Sequence, residues 1–287
     1  MEGQLAINAA LAGTHYGLIA LSFALVSRTA RFVHVAHGAV YTLGAYATLS
    51  LIGTGIGVVP SAMAGVVTGG VAGCTMELTV FRPLRRRGAS PESLLLASFG
   101  LLVVLQNVAA LTWGNARRVF SIRAAEPGAA FLGGHVTVTQ LAAVGISLVL
   151  AVGLVLWSRR SFAGLVLRAV GDDPELSLVR GIRTESAILL AFAVASGAMA
   201  LAGILQAMET GLTPLMGFRA LLVAFVGALL GGLDSDGRAY LGGLAIGVLE
   251  QVAALYLPGQ WYESVILALL VVVVVTRGHR LIGERGR

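Results

Sequence analysis

The feature that most narrows the folds open to this chain is a run of about 20 mostly apolar residues, repeated along nearly its whole length. Such runs cover 5–27, 36–54, 58–80, 93–113, 137–157, 187–208, 219–233, 239–257 and 262–276. A helix of that length crosses the hydrocarbon core of a bilayer and satisfies its backbone hydrogen bonds internally. Charge agrees: Asp, Glu, Lys and Arg are 12% of the 287 residues, about half the share of roughly 25% in ordinary soluble domains. A single water-soluble core also stops growing near about 250–300 residues. The expectation is an all-α integral membrane protein, one domain over 1–287, folded as a polytopic bundle of nine passes. The seventh run is short, and Gly227, Gly231 and Gly232 mark it as broken or re-entrant, which would leave eight full passes. Glycines recur four apart at Gly13/Gly17, Gly65/Gly69/Gly73, Gly227/Gly231 and Gly243/Gly247. That spacing puts small residues on one helix face, where backbones approach closely.

Orientation follows from arginine, since all 20 basic residues are arginine. If odd-numbered passes end on one side, 16 of the 20 gather there, from Arg28 and Arg31 through Arg82, Arg85, Arg86 and Arg87 to the C-terminal cluster. Arg117, Arg118, Arg123 and Arg219 fall on the other side. The positive-inside bias predicts a cell (inner) membrane protein with its N-terminus outside and its C-terminus in the cytoplasm. This asymmetry absorbs most of the net charge of +6. With neither aromatic interleaving nor a docking motif, nucleic acid is excluded as a partner. A chain without lysine has no P-loop and no Schiff-base chemistry. Cys74 is alone, so an intrachain disulfide is ruled out. Met1 to Gln4 lack a basic n-region, and the N-terminus reads as retained.

Two connecting segments have substance. Residues 114–136 face outward in this topology and hold Arg117, Arg118 and Glu126 beside Trp113. Residues 158–186 face inward and form the longest polar segment. Within it Asp173 suits an N-cap, Pro174 the first helical position and Glu175 the positive end of the dipole. A short helix from Pro174 to Arg180 would end at Gly181, a common terminating glycine. Leu176, Leu178 and Val179 give it an apolar side. It reads either as a docking helix for a cytoplasmic partner or as an amphipathic helix on the lipid surface. Asp172, Asp173 and Glu175 together also resemble the acidic cluster of an intramembrane transferase, although capping and dipole account for these acids.

Ionisable groups inside spans cost about 2.5–3.5 kcal/mol each on insertion scales, so each needs a reason. Glu77 lies close to Arg82 and is expected to snorkel toward it. Glu209, with Gln206 nearby, sits near the outer end of the sixth run. Glu250 lies midway along the eighth and is expected to face the bundle interior or a watery path. Gln106 and Asn107 are central in the fourth run, where they either line a path or join helices. His34 and His37 have the spacing of a metal pair but no third ligand nearby in sequence. His37 reads as a hydrogen-bonding residue within the bundle, and no metal or other cofactor is expected on this chain. Gly38-x-x-Tyr41-x-x-Gly44 recurs as Gly237-x-x-Tyr240-x-x-Gly243, the pattern of a parallel repeat.

These motifs resemble, in order and nearly end to end, the permease subunits of bacterial branched-chain amino acid ABC importers. Ala36-His37-Gly38 with Leu43-Gly44-Ala45-Tyr46 carries the first match. Glu77 with Phe81-Arg82-Pro83-Leu84-Arg85 and Phe99-Gly100 through Gln106-Asn107 carry the next. Arg168-Ala169 to Gly181-Ile182 and Gly231-Gly232-Leu233 to Gly242-Gly243 complete the series. The chain departs from the family pattern at His34-Val35, at Val223 and at Asp234 before Ser235. The resemblance implies a non-catalytic conduit for amino acids. Its partners would be a second, related permease, two cytoplasmic ATPases that hydrolyse ATP, and an extracytoplasmic solute-binding protein. It makes 158–186 the ATPase-coupling loop, through Arg168, Ala169, Asp172, Asp173, Pro174, Glu175, Leu176, Val179, Gly181 and Ile182. Beside it, His37, Tyr41, Gln106, Asn107, Gln206, Glu209 and Glu250 are the residues expected along the path. A permease for urea, short amides, sugars or another small polar solute is the alternative within transport.

Overall fold

The computed structural model describes residues 2–120, 129–131, 134–257, 264, 266–269, 271–272 and 275–276. Eleven α-helices order these residues. The first half contains α1 (Glu2–Ala30), α2 (His37–Gly53), α3 (Val58–Met76), a π-helical turn (Glu77–Phe81), α4 (Arg82–Arg86) and α5 (Pro91–Trp113). A small antiparallel hairpin, β1 (Ala129–Phe131) with β2 (Gly134–Val136), pairs Ala130 with His135. Then come α6 (Val138–Arg160), α7 (Phe162–Asp172), α8 (Pro174–Val179), α9 (Thr184–Thr210), α10 (Met216–Gly231) and α11 (Asp236–Ala253).

Eight of the nine apolar runs each coincide with one helix: α1, α2, α3, α5, α6, α9, α10 and α11. Among the described residues, five spans are long and apolar enough to cross a bilayer: α1, α3 continued through α4, α5, α6 and α9. At 16–18 residues, α2, α10 and α11 are shorter and pack among them. Of the ninth run, 262–276, residues 264, 266–269, 271–272 and 275–276 are described and helical; its remaining residues lie outside the described ones, as do Arg123, Glu126 and the C-terminal arginines. α10 runs unbroken through Gly227 to Gly231, about 24 Å at the usual rise. The expected break within it is therefore corrected: Gly227 and Gly231 serve close packing, and the irregular backbone flanks the helix. Residues 211–215 precede it, and Gly232 follows it with φ +90°.

Polar contacts sort the loops onto two faces. On one, Arg28 Nη2 donates to Asp172 Oδ1 at 2.9 Å, and Arg86 Nε donates to Glu185 Oε1 at 2.7 Å. There too Ser158 donates to Asp236, joining the end of α6 to the start of α11. On the other face Trp113 Nε1 donates to Ser50 Oγ at 2.9 Å, Arg118 N to Leu212 O at 2.9 Å, and His135 N to Gln4 Oε1 at 2.8 Å. The described arginine-rich loops thus share one face, as alternating helix direction requires.

Small residues let the helices meet. A Cβ on Gly17 of α1 would lie 2.6 Å from the Tyr240 ring of α11, and one on Gly243 would lie 2.7 Å from the Gly17 Cα. The same holds between α3 and α9, where a Cβ on Gly73 would lie 2.9 Å from the Phe192 carbonyl oxygen. Large apolar side chains on the outer faces of α3, α5 and α6, such as Val67, Leu111 and Val149, stay exposed, as a lipid-facing surface requires. α9 lies inside: Ala191, Ala195, Met199 and Ala202 are buried.

Glu77 does not snorkel toward Arg82. It is fully buried and takes both guanidinium Nη groups of Arg85, while Arg82 turns to Glu185. In a regular α-helix residues seven apart share a face; the extra residue of the π-helical turn brings residue i+8 round instead, so Arg85 faces Glu77.

The glycine contacts predict a specific cost. Gly243→Val should destabilise the detergent-solubilised protein by about 1–3 kcal/mol through overpacking, read as a lowered thermal midpoint. Gly100→Val, where a Cβ meets nothing within 4 Å, should leave that midpoint nearly unchanged.

Candidate functional site

Polar side chains from five helices converge inside this apolar bundle. His15 and Tyr16 lie on α1, Tyr41 on α2, and Gln206 and Glu209, three apart and so on one face, on α9. Arg219 enters from the first turn of α10 and Glu250 from the last turn of α11. Arg219 Nη2 donates to Glu250 Oε1 at 2.6 Å, and the Tyr16 hydroxyl lies 3.5 Å from the same nitrogen. His15 Nε2 and the Tyr41 hydroxyl share a hydrogen bond at 3.1 Å. Two adjoining cavities, of about 250 and 460 Å³, have His15, Tyr16, Gln206 and Arg219 in common. Charge in a bundle interior is costly unless paired or hydrated. Here the carboxylate is paired and the space beside it is large enough for water or a small solute.

Of the residues expected along a path, Tyr41, Gln206, Glu209 and Glu250 line these cavities. His37, Gln106 and Asn107 do not. His37 is buried against Phe23, with its Nε2 3.3 Å from Ser22 Oγ. Gln106 is buried on α5, whereas Asn107 is exposed there and donates to the Val103 carbonyl at 2.8 Å. His34 packs against His37, with ring centroids 5.4 Å apart, and its Nδ1 lies 3.1 Å from Ser98 Oγ. Among the described residues, His, Cys, Asp and Glu form no group of three or more placed to hold a metal ion. Sequence reasoning missed His15, Tyr16 and Arg219. Arg219 carried a signal, a charge at the start of an apolar run, but counting it with a loop hid its inward place.

On the arginine-rich face the polar segment is more ordered than its composition indicated. α6 extends into it to Arg160, and α7 occupies Phe162–Asp172, with Ser161 Oγ accepting from Gly164 N at 3.0 Å. α8 follows as expected: Asp173 Oδ1 accepts from Leu176 N at 2.9 Å, Pro174 takes the first turn, and Gly181 has φ +79°. Leu176, Leu178 and Val179 are 47%, 58% and 86% exposed, while Ser177 is buried. Ile182 folds back, its N–H donating to the Ser177 carbonyl at 2.9 Å. Arg168 Nη2 reaches the Arg159 carbonyl at 3.1 Å, and Ala169 and Glu175 lie on α7 and α8. Asp172 is engaged by Arg28, and its carbonyl accepts from Arg31 at 3.4 Å. The three acids thus serve ion pairing, capping and the helix dipole.

An α-helical bundle with several long apolar spans, and with polar groups converging on half-open cavities, is the architecture of a multi-pass membrane protein. Residues 5–275 match the family described as branched-chain amino acid transport system, permease component, and the chain belongs to that family. Its members are permease components of a transport system, not enzymes. The chain is 28% identical to the high-affinity branched-chain amino acid transport system permease protein LivH of Escherichia coli K12, across 98% of this chain and 95% of that one. It is 29% identical to the permease protein BraD of Pseudomonas aeruginosa over the same shares. A probable branched-chain amino acid transport permease of Methanocaldococcus jannaschii is 28% identical across 84% of this chain and 77% of its own length. Among solved structures, PsaBC from Streptococcus pneumoniae in complex with Fab aligns with a TM-score of 0.53 and 11% identity. That alignment covers 93% of this chain and 90% of the other, a likeness of fold alone.

Proposed function

We propose that this chain is the conduit of an ATP-driven importer for branched-chain or related amino acids, with the arginine-rich face in the cytoplasm. The observation that carries the reading is the cavity around Arg219 and Glu250, because charged and hydrogen-bonding side chains meet on open space inside an otherwise apolar bundle. It supplies a polar route, and the family supplies the class of cargo. The chain works with a second, related permease, two cytoplasmic ATPases and an extracytoplasmic solute-binding protein. α8 is the docking element for an ATPase: capped, short, and apolar on the side turned away from the bundle. ATP binding draws the ATPases together, α7 and α8 carry that motion, and the Arg28–Asp172 contact joins it to α1. For this to drive transport, nucleotide must favour one of two bundle conformations over the other. The chain binds no cofactor of its own in this scheme.

Uptake by the assembled importer in proteoliposomes tests the route. Gln206→Trp, which fills the junction of the two cavities, should reduce leucine uptake at least tenfold, and Glu250→Gln should impair it, both with assembly intact. Normal uptake in both variants would place the route elsewhere.

The docking reading makes a separate prediction. Leu176→Asp with Val179→Asp should leave insertion unchanged, since no span is touched, but remove ATPase co-purification and substrate-stimulated ATP turnover. Each apolar anchor contributes about 1.5–3 kcal/mol when fully buried, and the new charges would be buried without partners. Full ATPase binding by the double variant would contradict the docking role and favour a helix on the lipid surface. Because the ATPases are cytoplasmic, the same result bears on the orientation.

A further inference from the structure

The two cavities share one guanidinium but differ in character. Glu250 lines the smaller, whereas Ile19, Leu215, Met216, Ala220 and Val223 line the larger. Glu250 is nearly fully buried; its Oε1 accepts from Arg219, while its Oε2 is buried without a hydrogen-bond partner. A buried carboxylate oxygen left unpaired is costly, and an ammonium group, with three donors, is a natural complement. A guanidinium, for its part, matches a carboxylate through parallel N–H groups.

We propose that Arg219 and Glu250 are the recognition site for a zwitterionic α-amino acid in transit. Glu250 takes the α-ammonium, Arg219 takes the α-carboxylate, and the larger cavity takes an aliphatic side chain. This rests on the pathway reading above and adds what the path recognises. Charge balance favours the assignment. The internal pair is neutral, and so is a zwitterion. When the ligand enters between the two groups, each exchanges one opposite charge for another, and no net charge is carried into the bundle. A ligand without an ammonium would leave Glu250 Oε2 unmatched. At about 460 Å³ the larger cavity falls within the ordinary range of about 300–1,000 Å³ for small-molecule pockets.

The test is equilibrium binding to the assembled importer in nanodiscs without the solute-binding protein, so that only the membrane site selects. Three radiolabelled ligands are compared: leucine, leucinol, which keeps the ammonium only, and 4-methylpentanoate, which keeps the carboxylate only. Leucine should bind at least tenfold more tightly than either analogue to the unaltered protein, a result that needs no variant to fold. Glu250→Gln should weaken leucine and leucinol at least tenfold, and 4-methylpentanoate should bind no more weakly than before. Arg219→Gln should weaken leucine and 4-methylpentanoate and spare leucinol. Analogues that bind as well as leucine, variants that weaken all three ligands alike, or no saturable leucine binding would each overturn the proposal. The Gln206→Trp uptake result separates the failures. If uptake collapses there while the binding pattern fails, the path stands and the recognition site falls; if uptake persists, the path itself falls.

Discussion

Backbone-to-backbone contact between helices is the constraint on which this bundle depends. Within lipid there is no hydrophobic drive to press one apolar helix against another, so association relies on close packing and hydrogen bonds. α1 meets α11 where Gly17 faces Tyr240 and Gly243 faces Gly17, and α3 meets α9 where Gly73 faces Phe192. These approaches leave no room for a side chain. They fix α1 against α11 and α3 against α9, and α9 and α11 carry Gln206, Glu209 and Glu250 to the space that α10 enters with Arg219. A bulkier residue at Gly243 would therefore disturb both the fold and the cavity.

Electrostatics divide the charged residues into two populations. Near the arginine-rich face, Glu185 holds Arg82 and Arg86, Asp172 holds Arg28, and the buried Glu77 holds Arg85. These contacts tie connecting segments to helix ends, where long side chains reach water or headgroups. Arg219 and Glu250 are different, because their pair borders the cavities within the bundle. A pair kept beside open space, and not sealed by packing, is available to exchange partners with something that passes. The better-enclosed Glu77–Arg85 pair has no such freedom.

What the sequence made legible was local. Eight apolar runs predicted eight helices, because the length of an apolar stretch is written in adjacent residues. α8 was legible down to Asp173, Pro174 and Gly181, because capping and termination depend on residues a few positions apart. Contacts across the fold were not legible. Nothing near Glu250 names Arg219, 31 residues earlier, as its partner. The pairing of Glu77 with Arg85 depends on a π-helical turn that no periodicity foretold. α7 was read as polar loop because its charges drew attention, although Gly164, Leu167 and Val170 give it a buried side at helical spacing. Asn107 shows the converse limit: a polar residue in mid-span drew a functional reading, yet its amide is satisfied by its own helix and it faces outward.

The proposed mechanism requires the cavity to open toward opposite faces in different nucleotide states. The direct measurement is water accessibility of single cysteines at Val223 and Gln206, in a Cys74→Ser background, with membrane-impermeant thiol reagents applied from each side of the reconstituted importer. Labelling of the two positions should switch from one face to the other between the nucleotide-free and ATP-trapped complexes. Labelling from the same face in both states would contradict the mechanism.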